Sequence, residues 1–173
     1  MIKKSIFVFL SILFLLLVVN TMAYADISND RMSIGEIKIG DNSQKVIKIF
    51  GEPKSIIKKL QYNSDTKKDY EFKKLYYDDT FEIYCADDIV TRVILSGENG
   101  ITTFDGIKVG DSKDQMIKKY GKKHAEIPED GPQTEDTETV YIYAGEKLPN
   151  EERTHIYFTV KRNIIKHIEM YNW

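Results

Sequence analysis

Apolar residues recur at helical spacing in two short stretches, and elsewhere they mostly alternate with polar ones. Val46, Ile47 and Phe50 fall on one helical face, as do Met116, Ile117 and Tyr120. The spacing predicts helices over 43–50 and 113–120. Asn42 and Ser112 stand at the N-cap positions, and Ser112 with Gln115 makes an S-x-x-Q capping box. Gly51 and Gly121 follow where a helix needs a left-handed terminator of positive φ, and Pro53 closes the first copy. Helices of about eight residues do not stand without packing, so both are expected on a sheet. Period-two alternation predicts strands over 70–77, 80–86, 89–96, 139–143, 155–160 and 164–171. Asp78-Asp79, Asp87-Asp88 and Arg162-Asn163 read as turns, and 144–153 as a longer polar hairpin loop. Gly131-Pro132 with Glu129, Asp130, Glu135, Asp136 and Glu138 reads as a solvated insertion, with 63–69 as its counterpart.

These patterns repeat. Ile37-Lys38-Ile39-Gly40-Asp41 returns 70 residues later as Ile107-Lys108-Val109-Gly110-Asp111, and seven of fifteen positions are identical between 37–51 and 107–121. Residues 81–95 read against 156–170 at an offset of 75. The expected organisation is a leader over 1–25, a linker over 26–33, and repeat units over 34–100 and 101–173. The expected fold class is α+β: a tandem repeat of helix plus antiparallel β-meander, with joined sheets and helices on one face.

The motif I-x-[IV]-G-D-[SN]-x-x-x-[VM]-I-x-x-[FY]-G, followed by several short strands, resembles the repeat of the β-lactamase-inhibitor protein family. It is also similar to the SmpA/OmlA family of BamE-like outer-membrane lipoproteins, and to the module that precedes the CAP domain in secreted Gram-positive proteins. The resemblance covers about residues 34–173, and Lys123 stands where the first copy has proline. It implies a helix on a four-stranded antiparallel sheet per unit, with the two sheets forming one curved surface. It carries over no inhibitory residue, and with one cysteine this chain lacks the disulfide staples of the inhibitors.

Composition bears on location. Lys3 and Lys4 precede an apolar run over 6–19, and Ala23-Tyr24-Ala25 fits a small-x-small cleavage site. This is the pattern of a secretory signal peptide, and the run is shorter than the roughly 20 residues of a bilayer span. Many lysines and isoleucines with one cysteine suggest a Gram-positive secretome, so the chain is expected to be secreted or cell-wall-associated. The other 148 residues carry 23 basic and 27 acidic side chains. That acidic balance argues against nucleic acid and against anionic lipid as partners. The lone Cys85 alternates with Phe81 and Ile83 and reads as a buried small hydrophobe.

No constellation for catalysis stands out. There is no HExxH spacing, no G-x-S-x-G elbow and no phosphate-binding glycine loop. His155, His167 and Glu169 cluster on predicted strands, the one grouping that a metal site or a hydrolase would use. The expectation is no enzyme, no metal and no cofactor.

A binding face is the better candidate. Matching apolar residues in the last hairpin sets Phe158 opposite Ile168 and Ile156 opposite Met170, through a three-residue turn at 162–164. Tyr157 then lies beside Glu169, and Thr159 beside His167, on the other face, with His155 and Tyr171 at its end. The same register pairs Phe81 with Leu95 and Ile83 with Val93. Tyr141 and Tyr143 are assigned to the polar face because they alternate with Val140 and Ile142. The expected partner-binding residues are Tyr84, Arg92, Tyr141, Tyr143, Tyr157 and His167, a composition typical of binding surfaces. The expected function is a secreted, non-catalytic module that binds another protein, such as an extracellular enzyme that it inhibits. The alternative is a cell-envelope assembly or wall-associated structural module.

Overall fold

The computed structural model describes residues 26–129 and 136–172. The leader and the centre of the acidic insertion lie outside the described residues. Eight strands form one antiparallel sheet: β1 (Ser55–Asn63), β2 (Lys68–Asp78), β3 (Phe81–Ala86), β4 (Ile89–Leu95), β5 (Ala125–Pro128), β6 (Thr139–Ala144), β7 (Thr154–Lys161) and β8 (Ile164–Asn172). Their spatial order is β1-β2-β3-β4-β8-β7-β6-β5. Two helices, α1 (Ser43–Phe50) and α2 (Lys113–Tyr120), and one 3-10 turn (Asn29–Arg31) complete the elements.

This corrects the expected fold class. The chain is not a tandem helix-plus-meander α+β repeat; it is mostly one continuous eight-stranded antiparallel sheet, and only 13% of the described residues are helical. Two things tip the balance toward strand. Both helices stop after eight residues at a glycine. Two strands that alternation does not mark, β1 and β5, lengthen the sheet at its two ends. β1 is exposed along almost its whole length and β5 nearly so, which erases the period-two signal.

The caps follow the sequence closely. Asn42 accepts from the Gln44 amide, and Ser112 and Gln115 complete a reciprocal capping box. Gly51 adopts φ 78°, ψ −169° and Gly121 φ 89°, ψ 179°. These are not left-handed helical values; they lie in a region that only glycine enters readily.

Each helix start is zipped to a hairpin turn. The Gly40 amide donates to Val90 O, the Val90 amide to Asp41 O, and the Ser43 amide to Asp88 O. At the second motif the Gly110 amide donates to Ile165 O, the Ile165 amide to Asp111 O, and the Lys113 amide to Asn163 O. Helix amides that lack intrahelical partners are thus met by the strand turns.

Both turns are two residues long, with positive φ at Asp87 and Asp88 and at Arg162 and Asn163. The expected three-residue turn at 162–164 is therefore corrected. The predicted apolar register is nonetheless the one found, because a bulge beside each turn supplies the extra residue.

The core lies between the helices and one sheet face. Phe81, Leu95, Ile168, Phe158 and Tyr141 are successive cross-strand partners. Phe50 of α1 packs on Phe81 at 4.9 Å between ring centroids, and Tyr120 of α2 on Phe158 at 5.1 Å. Both helices therefore cover the same face. Residues 26–33 are tied down beside them: Ile27 and Met32 are buried, and the Ile27 amide donates to Ala144 O. Cys85 is buried in this core, and burial pushes its thiol up to about 11. Among the described residues no helix is long and apolar enough to cross a membrane.

Candidate functional site

Strand alternation sends every second side chain away from the helices. On that open face Lys74 lies opposite Tyr84, Tyr84 opposite Arg92, Arg92 opposite Tyr171, and Tyr171 opposite His155. The five residues form one row across β2, β3, β4, β8 and β7, in which the cations Lys74 and Arg92 alternate with the Tyr84 and Tyr171 rings and His155 stands at the end. Lys74 Nζ sits 5.0 Å from the Tyr84 ring centroid and 4.4 Å from that of Tyr76. The Arg92 guanidinium lies 5.6 Å from the Tyr84 ring and 5.4 Å from the Tyr171 ring. Tyr171 stacks on Tyr157 at 4.6 Å with an interplanar angle of 3°. Cation–π contacts of this kind contribute about 0.5–1 kcal/mol each when exposed.

A second row runs beside the first. Glu82 lies opposite Ile94, Ile94 opposite Glu169, and Glu169 opposite Tyr157. Its acids neutralise the cations of the first row. Glu82 pairs with Lys74 at 2.9 Å and also accepts from the Tyr84 hydroxyl at 3.1 Å, and Glu169 pairs with Arg92. His167 Nε2 lies 3.6 Å from the other oxygen of Glu169.

Protonation states follow from these contacts. Burial works to raise the Glu169 carboxyl, but His167 and Arg92 outweigh it and hold the group below the usual carboxylate range. Burial likewise opposes the charge on Lys74, but Tyr76, Tyr84 and Glu82 hold its ammonium above the ordinary lysine value. Burial pushes the Tyr157 hydroxyl up and the His155 imidazole down. At neutral pH Lys74, Arg92 and Glu169 are therefore ionised and paired within the face, with their side chains held in place.

Of the six expected site residues, the fold brings Tyr84, Arg92, Tyr157 and His167 together here. Tyr141 and Tyr143 are corrections. Tyr141 lies opposite Phe158 and Tyr143 opposite Ile156, so both point under the helices, and Tyr143 is 1% exposed. Tyr143 packs on Tyr120 at 5.0 Å, and Tyr141 on His124 at 5.0 Å. Alternation alone left the parity of β6 open, and the β6–β7 register settles it. Val140 and Ile142 take the open-face positions instead.

Lys74, Tyr76 and Tyr171 are members that the sequence reading left out of the site. The β7–β8 register already set Tyr171 on this face beside His155, as found, although it was not among the expected binding residues. Its contact with Arg92 depends on the pairing of β4 with β8, across more than 70 residues of chain, and no local pattern signals it.

Of the expected histidine–carboxylate grouping, His167 and Glu169 lie 3.6 Å apart. Glu169 is committed to Arg92, and His155 lies opposite Tyr171, not beside His167. Among the described residues no three His, Cys, Asp or Glu side chains are placed to hold a metal ion. No protein-family model, curated protein or solved structure matches the chain.

Proposed function

We propose that the chain is a secreted, non-catalytic binding module that takes a protein partner on the open face of its sheet. The observation that carries this reading is the row Lys74, Tyr84, Arg92, Tyr171, with Tyr157 stacked beside it. Tyrosine and arginine dominate protein-binding hot spots. Here their side chains are already ordered by mutual stacking and by Glu82 and Glu169, so little rotamer entropy remains to be lost on association. A surface with its charges already paired suits a partner that adds stacking and hydrogen bonds.

The secreted location rests on the leader pattern in 1–25 and the small-x-small site at Ala23-Tyr24-Ala25. The non-catalytic reading is supported by the two groups best suited to chemistry: Cys85 is a buried, protonated thiol, and Glu169 is held in an ion pair. The likeness of the Ile37–Gly51 motif to repeats of inhibitor proteins, which act by binding, points the same way.

The test is capture by the tagged protein from culture supernatant and from purified wall, with Tyr84→Ala, Arg92→Ala and Tyr171→Ala beside the native chain. A soluble partner bound in stoichiometric amount and lost from at least one variant supports the proposal. Retention on wall alone, or a partner that all three variants keep equally, overturns it.

A further inference from the structure

The two edges of the sheet are treated differently. At one end, β5 is four residues long and closes on Pro128, which blunts it against further pairing. At the other end, β1 pairs with β2 over nine consecutive positions with no bulge, and among the described residues no strand pairs with its outer edge. Four of the large exposed apolar side chains lie on this strand: Ile56, Ile57, Leu60 and Tyr62, with Leu60 74% and Tyr62 65% exposed. A long, straight, apolar edge of this kind is a template for another strand.

Its charge says which strand. Residues 54–74 carry seven lysines against Asp65, Asp69 and Glu71, in a chain whose net charge is −2. Lys73 and Lys74 are consumed by Glu71, Asp88 and Glu82. Lys58 and Lys59, in the middle of β1, make no salt bridge among the described residues. Ile56, Lys58 and Leu60 share the face of Leu75, while Ile57 and Lys59 share that of Lys74.

A second copy of the chain is a poor occupant. Antiparallel self-pairing centred on Lys59 sets that lysine against itself, and a one-residue slip sets Lys58 against Lys59. Like charges directly opposite destabilise a ladder.

We infer that β1 is a docking edge for an extended segment of another protein, one that carries an acidic pair opposite Lys58 and Lys59 and apolar residues on either side of it. Main-chain hydrogen bonds to the free edge supply the adhesion. Ile56, Ile57 and Leu60 meet the flanking apolar residues, and the lysine pair sets register and excludes basic strands. This surface is separate from the cation–aromatic row, so the molecule offers one partner a face and an edge, or two partners one surface each.

The probes are two labelled nine-residue peptides of alternating valine and threonine, one with a central Glu-Glu pair and one with Lys-Lys. Each is titrated against the full chain by fluorescence anisotropy, with backbone amide shifts recorded by NMR. The expected result is saturable binding of the acidic peptide, with shifts centred on β1 and at least tenfold weaker binding of the basic one. Lys58→Glu/Lys59→Glu should reverse that preference with its thermal unfolding unchanged, and Arg92→Ala should leave it intact. Absence of saturable binding, equal binding of both peptides, shifts centred on the open face, or dimerisation of the chain through β1 would each overturn the inference. Because Arg92→Ala probes the other surface, failure here is distinguishable from failure of the proposed function.

Discussion

The Tyr143 hydroxyl donates to the carbonyl oxygen of Gly121 at 2.9 Å, binding the end of α2 to the sheet beneath it. Tyr77 makes the same contact with Gly51 O at 3.1 Å beneath α1. The last carbonyls of a helix lack intrahelical donors, and a tyrosine rising from a neighbouring strand supplies one. This explains why Tyr143 is buried although its type suits a binding face: its ring fills the core and its hydroxyl has a partner there. Tyr143→Phe should therefore cost about 1 kcal/mol, and Tyr143→Ala about 3–5 kcal/mol, by urea unfolding. A change below about 0.3 kcal/mol in the phenylalanine variant would show that the hydroxyl bond contributes nothing measurable.

The helix-terminating glycines should be costly to replace for backbone reasons alone. A Cβ at Gly51 or Gly121 would meet no atom within 4 Å, so packing does not oppose it. Their φ and ψ do, and each alanine should destabilise by about 1–3 kcal/mol. The sites lie in separate helices, so the double variant should show the sum of the two. A marked shortfall in the chemical-denaturation midpoints would mean that the loops relax into another conformation.

Cys85 should be silent toward thiol reagents in the folded protein at pH 8 and react stoichiometrically in denaturant. Its thiol ionises at about 11 in the fold, against about 8.5 in an unfolded chain. The unfolded state loses the proton first, so this contribution to stability is complete below about pH 8.5 and is lost as pH rises toward 11. Cys85→Ala should flatten that part of the stability profile. Rapid native-state labelling would contradict the burial of the thiol.

The Arg92–Glu169 pair should show in acid. Glu169 has a depressed folded-state pKa, so its contribution is present above its unfolded value of about 4.3 and lost as pH falls through the folded one. Arg92→Ala should cost about 1–2 kcal/mol at pH 7, a modest figure because the Arg92 side chain is nearly half exposed. The cost should shrink once Glu169 is protonated. An unfolding series stepped down from pH 7 through the titration of Glu169 makes the comparison, and a loss that stays equal after Glu169 is protonated would assign the effect to packing of the arginine stem.

Local chemistry made much of this architecture readable. The helices at 43–50 and 113–120, their caps and the positive φ of both terminators are short-range consequences of side-chain oxygens and of glycine. The apolar register of Phe158 with Ile168 and of Phe81 with Leu95 was also readable, because one buried face tolerates no one-residue slip. Three features were not. The exposed strands β1 and β5 bury no face and so carry no alternation. The parity of β6 is ambiguous because Val140 and Tyr141 suit either side. The row joining Arg92 to Tyr171 needs β4 beside β8, a pairing between distant segments that leaves no mark in either one. The candidate site was therefore legible in residue type at Tyr84, Arg92 and Tyr157, but not in its full membership.

The position of β8 bears on how the molecule comes into being. It follows the other seven strands in sequence, yet it lies in the middle of the sheet, between β4 and β7. Until it arrives, β4 and β7 are both open edges, Val93 and Leu95 lack their partners Met170 and Ile168, and Arg92 has neither Tyr171 nor Glu169. A chain emerging from a ribosome or translocation pore in N-to-C order would thus hold two unfinished half-sheets until β8 was released. Assembly would then close from the inside, with the cation–aromatic row completed in the same step as the core.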